Sequence, residues 1–115
     1  MNIDFDVVSE VRGNSLLLKT NGYINNTGGE MIVKEFTKHP IAGFNSVVID
    51  LENSKVINSI GISYLIEIIE TVNQNSYKLF FSNLDPTIEK TFKIMGLFQF
   101  AEKLNPTDTA VPANI

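Results

Sequence analysis

The run Phe44-Asn45-Ser46-Val47-Val48-Ile49-Asp50-Leu51 restricts the fold more than any other stretch of the chain. It is β-branched, apolar and of strand length, with no clean alternation. A strand with one wet face alternates apolar and polar residues, so this run predicts a strand covered on both faces. Beyond Glu52-Asn53-Ser54-Lys55 and Val56-Ile57-Asn58-Ser59-Ile60-Gly61 comes a helix. There Tyr64, Leu65, Ile68, Ile69 and Val72 recur at helical spacing, with Glu67, Glu70 and Asn73 on the other side. A covered strand feeding an amphipathic helix is the unit of a mostly parallel sheet.

The flanking sequence repeats that unit. Asp4 to Val11 and Ser15 to Thr20 read as two strands joined by the turn residues Arg12-Gly13-Asn14, an antiparallel hairpin. Thr27-Gly28-Gly29-Glu30 has the spacing of a capping box, with Thr27 as cap. It opens a first helix whose Ile32 and Phe36 face inward and which ends at His39-Pro40. Tyr77 to Ser82 is a fourth strand. Asp85-Pro86 starts a third helix as cap and first helical residue, with Ile88, Phe92 and Met95 on its buried face and Gly96 at its end. Leu97-Phe98-Gln99-Phe100 reads as a short last strand. The predicted class is α/β, a mostly parallel sheet of about five strands with three helices, in the order β-β-α-β-α-β-α-β. Helices are expected mainly on one face, in two layers. Residues 1–104 form one expected domain. From Asn105 on, two prolines and no periodicity predict a disordered tail, and no internal repeat is evident.

Charge and composition exclude several functions. A net charge of −4 over 115 residues argues against nucleic-acid binding, which needs a cationic footprint. The absence of cysteine removes disulfides, thiolate zinc sites and a cysteine nucleophile. The most apolar stretch, Val56 to Val72, is interrupted by Asn58, Ser59, Ser63, Glu67 and Glu70, so no membrane insertion is expected. Met1-Asn2-Ile3-Asp4 does not read as a leader, and the expected location is the cytoplasm. His39, the single histidine, precedes a proline at a helix exit and reads as a surface or packing residue. Asp50 and Glu52 sit two apart at a strand end, where they read as solvated charges or as a cation-binding or acid–base pair. Gly28-Gly29 lacks the lysine of a phosphate loop and reads as helix-start chemistry. No constellation points to an enzyme or to a bound cofactor or metal.

Ser59 is better placed than any of these, because it opens the second helix, where amides are unpaired and the helix dipole is positive. A hydroxyl there serves either as a structural cap or as a phosphate acceptor, which would gain about −1.5 to −2 charges. Binding of a small ligand or nucleotide by the same amides is a third reading, though no lysine or arginine stands in the motif beside Ser59.

Three stretches in order resemble the STAS domain family of bacterial anti-sigma factor antagonists. They are Gly22-Tyr23-Ile24-Asn25, Val47-Val48-Ile49-Asp50-Leu51 through Val56-Ile57-Asn58-Ser59-Ile60-Gly61, and Asn83-Leu84-Asp85-Pro86-Thr87-Ile88 through Met95-Gly96-Leu97-Phe98. The resemblance covers the chain to about Leu104. It implies a domain that catalyses nothing and is bound by an anti-sigma factor, a serine kinase of the histidine-kinase-type ATPase fold. That kinase phosphorylates the serine opening the second helix, here Ser59, and a PP2C-type phosphatase reverses the change. Partner contacts implied by the resemblance fall on Gly22, Tyr23, Asn25, Asn58, Ser59, Ile60, Gly61 and Ile62. The family's usual aspartates are replaced by Asn25 and Asn58, and its second hydroxyl by Ile60. Loss of those carboxylates would slow association with a basic kinase surface or shift the choice of partner. The alternative implied role is a non-phosphorylated accessory or scaffold subunit of a transport or stress-signalling complex.

Overall fold

A computed structural model describes residues 5–104. The expected start of the first strand at Asp4 and the tail from Asn105 lie outside them. Chain order is β1 (Phe5–Arg12), β2 (Ser15–Gly22), α1 (Asn26–Thr37), a 3₁₀ turn (Ile41–Gly43), β3 (Ser46–Asn53), α2 (Ser59–Gln74), β4 (Lys78–Ser82), α3 (Pro86–Ile94), a second 3₁₀ turn (Leu97–Gln99) and β5 (Glu102–Leu104).

The strands lie side by side in sequence order, β1 to β5. Only β1 and β2 are antiparallel, joined through Gly13 at φ +59°. The other three pairings are parallel. Each crossover therefore steps one strand in the same direction, and one hand of connection sets every helix on the same face. Register carries this into the core. Val47 lies between Leu16 and Leu79, and Ile49 between Leu18 and Phe81. These side chains meet Ile32 and Phe36 of α1, Leu65, Ile68 and Val72 of α2, and Ile88 and Phe92 of α3 in one cluster. Full burial of each such side chain contributes about 1.5–3 kcal/mol. On the opposite face Leu17, Val48 and Phe80 form a smaller cluster with Leu104. β3 is buried on both faces, as its unbroken apolar run predicts: Val47 is 0% and Val48 1% exposed.

Four local expectations change. Helix α1 is capped by Asn25 rather than Thr27: the Gly28 amide donates to Asn25 Oδ1 at 3.0 Å, and Thr27 sits inside the helix. The helix ends at Thr37, before Pro40. Met95 is exposed, because α3 stops at Ile94 and Gly96, at φ +77°, turns the chain away. Finally, Leu97–Phe100 is not a strand. The Gln99 amide donates to the Gly96 carbonyl at 3.1 Å, closing a tight turn that drops Leu97 into the core. The last strand is Glu102–Leu104, paired with Phe80–Ser82. Its charged residues serve a sheet edge, with Glu102 near Lys78 at 3.4 Å and Lys103 near Glu89 at 2.9 Å.

Candidate functional site

The parallel strands deliver all three helix starts to one end of the sheet, where two of them are near copies. Tyr23-Ile24-Asn25-Asn26-Thr27-Gly28 precedes and opens α1; Val56-Ile57-Asn58-Ser59-Ile60-Gly61 does the same for α2. Asn25 and Asn58 are both extended (φ −106° each), and each side chain accepts an amide three residues on, Gly28 N at 3.0 Å and Gly61 N at 2.8 Å. This is a short internal repeat where none was expected, and its signal, isoleucine-asparagine followed three residues later by glycine, lies in the sequence.

The two segments are bound together. Ile24 N donates to Val56 O at 3.0 Å and Asn58 N to Ile24 O at 3.2 Å, making an isolated parallel bridge between Ile24 and Ile57. Glycine makes this approach possible: a Cβ on Gly61 would sit 2.1 Å from Ile24 O. Below, Thr20 and Ser54 hydroxyls share a buried 2.7 Å hydrogen bond, and Thr20 Oγ1 also donates to Asp50 O at 3.1 Å.

At the surface, Ser59 is the first residue of α2 and is exposed. The capping reading of its hydroxyl fails, because Asn58 is the cap. Among the described residues Ser59 Oγ makes no hydrogen bond. The first amide to close a helical turn is Ile62 N, on Asn58 O at 2.9 Å, and Asn58 Oδ1 takes Gly61 N, so Ser59 N and Ile60 N stay without a protein partner among the described residues. Three large apolar side chains surround this end: Tyr23, Val56 and Ile60, exposed 42%, 58% and 51%. Val56 is an addition to the residues read from the sequence. A shallow cleft of about 420 Å³ adjoins them, lined by Asn21, Gly22, Tyr23, Asn53, Lys55 and Val56. Gly61 and Ile62 are buried and support this surface from below.

Asp50 acts as a bracket at the same end: its Oδ1 accepts Glu52 N at 2.9 Å and Asn83 Nδ2 at 3.1 Å, holding the β4–α3 loop, where Asn83 has φ +57°. Glu52 is exposed. Among the described residues no group of three or more His, Cys, Asp or Glu side chains is placed to hold a metal. His39 lies at the far end of α1, with Nε2 2.9 Å from Ser9 Oγ and its ring in an edge-to-face arrangement with Phe44. Ser9 Oγ donates to Glu35 Oε2 at 2.6 Å. That bond, with a second from Lys38, holds the Glu35 carboxyl below its ordinary pKa. No helix among the described residues is long and apolar enough to cross a membrane.

The STAS domain family profile matches residues 6–110. No curated protein sequence matches the chain. Among solved structures, an anti-sigma factor antagonist from Mycobacterium paratuberculosis is similar with a TM-score of 0.75 at 16% identity, over 90% of this chain and 86% of that one. The Bacillus cell fate determinant SpoIIAA in its phosphorylated form gives 0.68 at 16% identity, over 90% and 92%. The murine Slc26a9 anion transporter gives 0.67 at 11% identity, over 85% of this chain and 19% of the transporter.

Proposed function

The chain belongs to the STAS domain family, matched over residues 6–110, and from that premise we propose that it is a cytoplasmic anti-sigma factor antagonist switched by phosphorylation of Ser59. The observation that carries this reading is a hydroxyl at the first turn of α2 with no capping duty, since Asn58 performs the capping. Phosphate on Ser59 would bring about −1.5 to −2 charges to the positive end of the helix dipole, beside the free amides of Ser59 and Ile60. The folded core would be untouched. The surface around Tyr23, Asn25, Val56, Asn58 and Ile60 would change from neutral and partly apolar to strongly anionic, and a partner seated there would be released. SpoIIAA has a phosphorylated form, which supports such chemistry on this fold.

The partner in this reading is an anti-sigma serine kinase of the ATPase type, with a PP2C-type phosphatase as the opposing enzyme; the chain is their substrate and catalyses no step itself. With Asn25 and Asn58 uncharged, the unphosphorylated surface offers Tyr23, Val56 and Ile60 as its apolar anchors. Incubation with an anti-sigma serine kinase from the same cell and phosphopeptide mass spectrometry tests the reading: phosphate on Ser59, lost in Ser59→Ala, is the expected result. Calorimetry should show Ser59→Asp binding that kinase at least about tenfold more weakly, a difference of roughly 1.4 kcal/mol. Equal affinity would remove the switch. The similarity to part of the Slc26a9 transporter, together with Asn58 and Ile60, supports a second reading as a non-phosphorylated accessory subunit, for which no phosphate would appear on Ser59.

A further inference from the structure

Helix α2 has an acidic outer face and no basic residue. Glu67 and Glu70 are exposed there, and neither makes an ion pair among the described residues. Helix α3 has the opposite character: Glu89 is engaged by Lys103, which leaves Lys90 and Lys93 exposed and unpaired among the described residues. Between the C-terminal half of α2 and the turn after α3 runs an apolar groove of about 380 Å³. Its walls include Ile66, Ile69 and Glu70 on one side, and Met95, Leu97 and Phe100 on the other. Ile94, Met95 and Phe100 are 76%, 48% and 61% exposed. Met95 and Phe100 are thus exposed apolar side chains on a groove wall, the kind of surface that marks a contact site more often than bare surface does. The far wall is fixed to α2, since Asn73 Nδ2 donates to Phe100 O at 3.2 Å.

We infer that this groove is a dimer interface whose occupant is a second copy of the chain, related by a two-fold axis. A two-fold contact uses the same patch twice and must be self-complementary. The charges beside the groove meet that condition: Glu70 lines it and Glu67 lies on the same outer face of α2, while α3, which carries Lys90 and Lys93, leads into the far wall. Turned about an axis through the groove, each copy's Glu67 and Glu70 meet the other's Lys90 and Lys93, and Met95 and Phe100 close between them. An apolar centre inside a charged rim is the usual anatomy of an interface. A foreign partner carrying one sign of charge would find one helix favourable and the other repulsive. The 16 residues of α2, at about 1.5 Å each, separate its ends by roughly 24 Å, so the dimer leaves both Ser59 surfaces free.

Sedimentation equilibrium on the full chain over a broad concentration series tests this, with circular dichroism to verify folding of each variant. A monomer–dimer equilibrium is expected. Phe100→Glu should weaken it about thirtyfold or more, the scale of removing a central aromatic anchor. Reversing Glu67 and Glu70 to lysine should weaken it about three- to tenfold, and adding Lys90→Glu and Lys93→Glu should recover most of the loss. A monomer at every concentration overturns the proposal. So does a dimer that Phe100→Glu leaves intact, which would lie elsewhere, or a charge reversal that its complement does not rescue.

Discussion

The starts of α1 and α2 use one solution with a single chemical difference. In both, an isoleucine enters the bridge between the loops, an asparagine caps, and a glycine three residues on lets backbone approach backbone. At the first helical position α1 has Asn26, whose Oδ1 accepts a 3.2 Å hydrogen bond from the Tyr64 hydroxyl, whereas α2 has Ser59, whose hydroxyl meets nothing among the described residues. The pair isolates one difference: whatever α1 also possesses is helix-start chemistry, and the free hydroxyl is what α2 adds. Capping cannot explain Ser59, since the same capping is achieved next to it by an asparagine in both cases.

The glycines should separate the two starts most strongly. Gly61→Ala drives a methyl to 2.1 Å from the Ile24 carbonyl, whereas Gly28→Ala meets the Tyr23 carbonyl at 2.8 Å and the edge of the Phe5 ring at 3.0 Å. Urea denaturation should show a loss of about 3 kcal/mol or more for Gly61→Ala and about 1–2 for Gly28→Ala; equal losses would mean that the bridge is not the tighter constraint. Next, Asn25→Ala and Asn58→Ala should each lose about 1 kcal/mol, as removal of a helix cap does. A much larger loss at one would break the equivalence. Ser59→Ala should then fall within about 0.5 kcal/mol of wild type in the same titration while abolishing kinase-dependent phosphate incorporation. A loss as large as at Asn58 would return the hydroxyl to a structural role.

The smallest effect concerns the far end of α1, which serves as a control remote from both starts. Glu35 is held below its ordinary pKa, first by the Ser9 hydroxyl and then by Lys38. A depressed carboxyl contributes stability that is present above its unfolded value of about 4.3 and is lost as pH falls through the folded value. Ser9→Ala should therefore raise the Glu35 pKa, read by NMR titration, and flatten the acid limb of the stability profile below about pH 4.5, while leaving Ser59 phosphorylation unchanged.

Much of the fold was legible because its strongest signals are local. The unbroken run at Val47–Ile49, the spacing of Leu65, Ile68, Ile69 and Val72, and Asp85-Pro86 each specify an element through burial or capping within a few residues. The misread pieces depend on distant contacts. Thr27 and Asn25 are both good caps, and the choice fell to Asn25 because Ile24 is anchored to the segment around Ile57, which fixes where α1 begins. β5 has little apolar content and forms because Phe80–Ser82 offers it an edge, while Leu97 is spent on a turn. At the site, the resemblance located Ser59 but could not distinguish cap from free hydroxyl, a distinction that rests on the Asn58 side chain's 2.8 Å bond to Gly61 N. Val56 stands directly before Ile57, and an adjacent apolar pair carries no signal of which member faces solvent; the fold turns Val56 outward and half-buries Ile57.

Sequential strand order sends every helix start to the same rim of the sheet, and this has an evolutionary consequence. The residues that fill the interior sit in mid-strand and along helix faces, while those proposed to meet a kinase sit at the rim, in loops and first turns. A lineage can thus rewrite which molecule it recognises by changing a handful of rim positions and leave the interior alphabet alone. Paralogues in one cell could share this architecture and remain deaf to each other's signals.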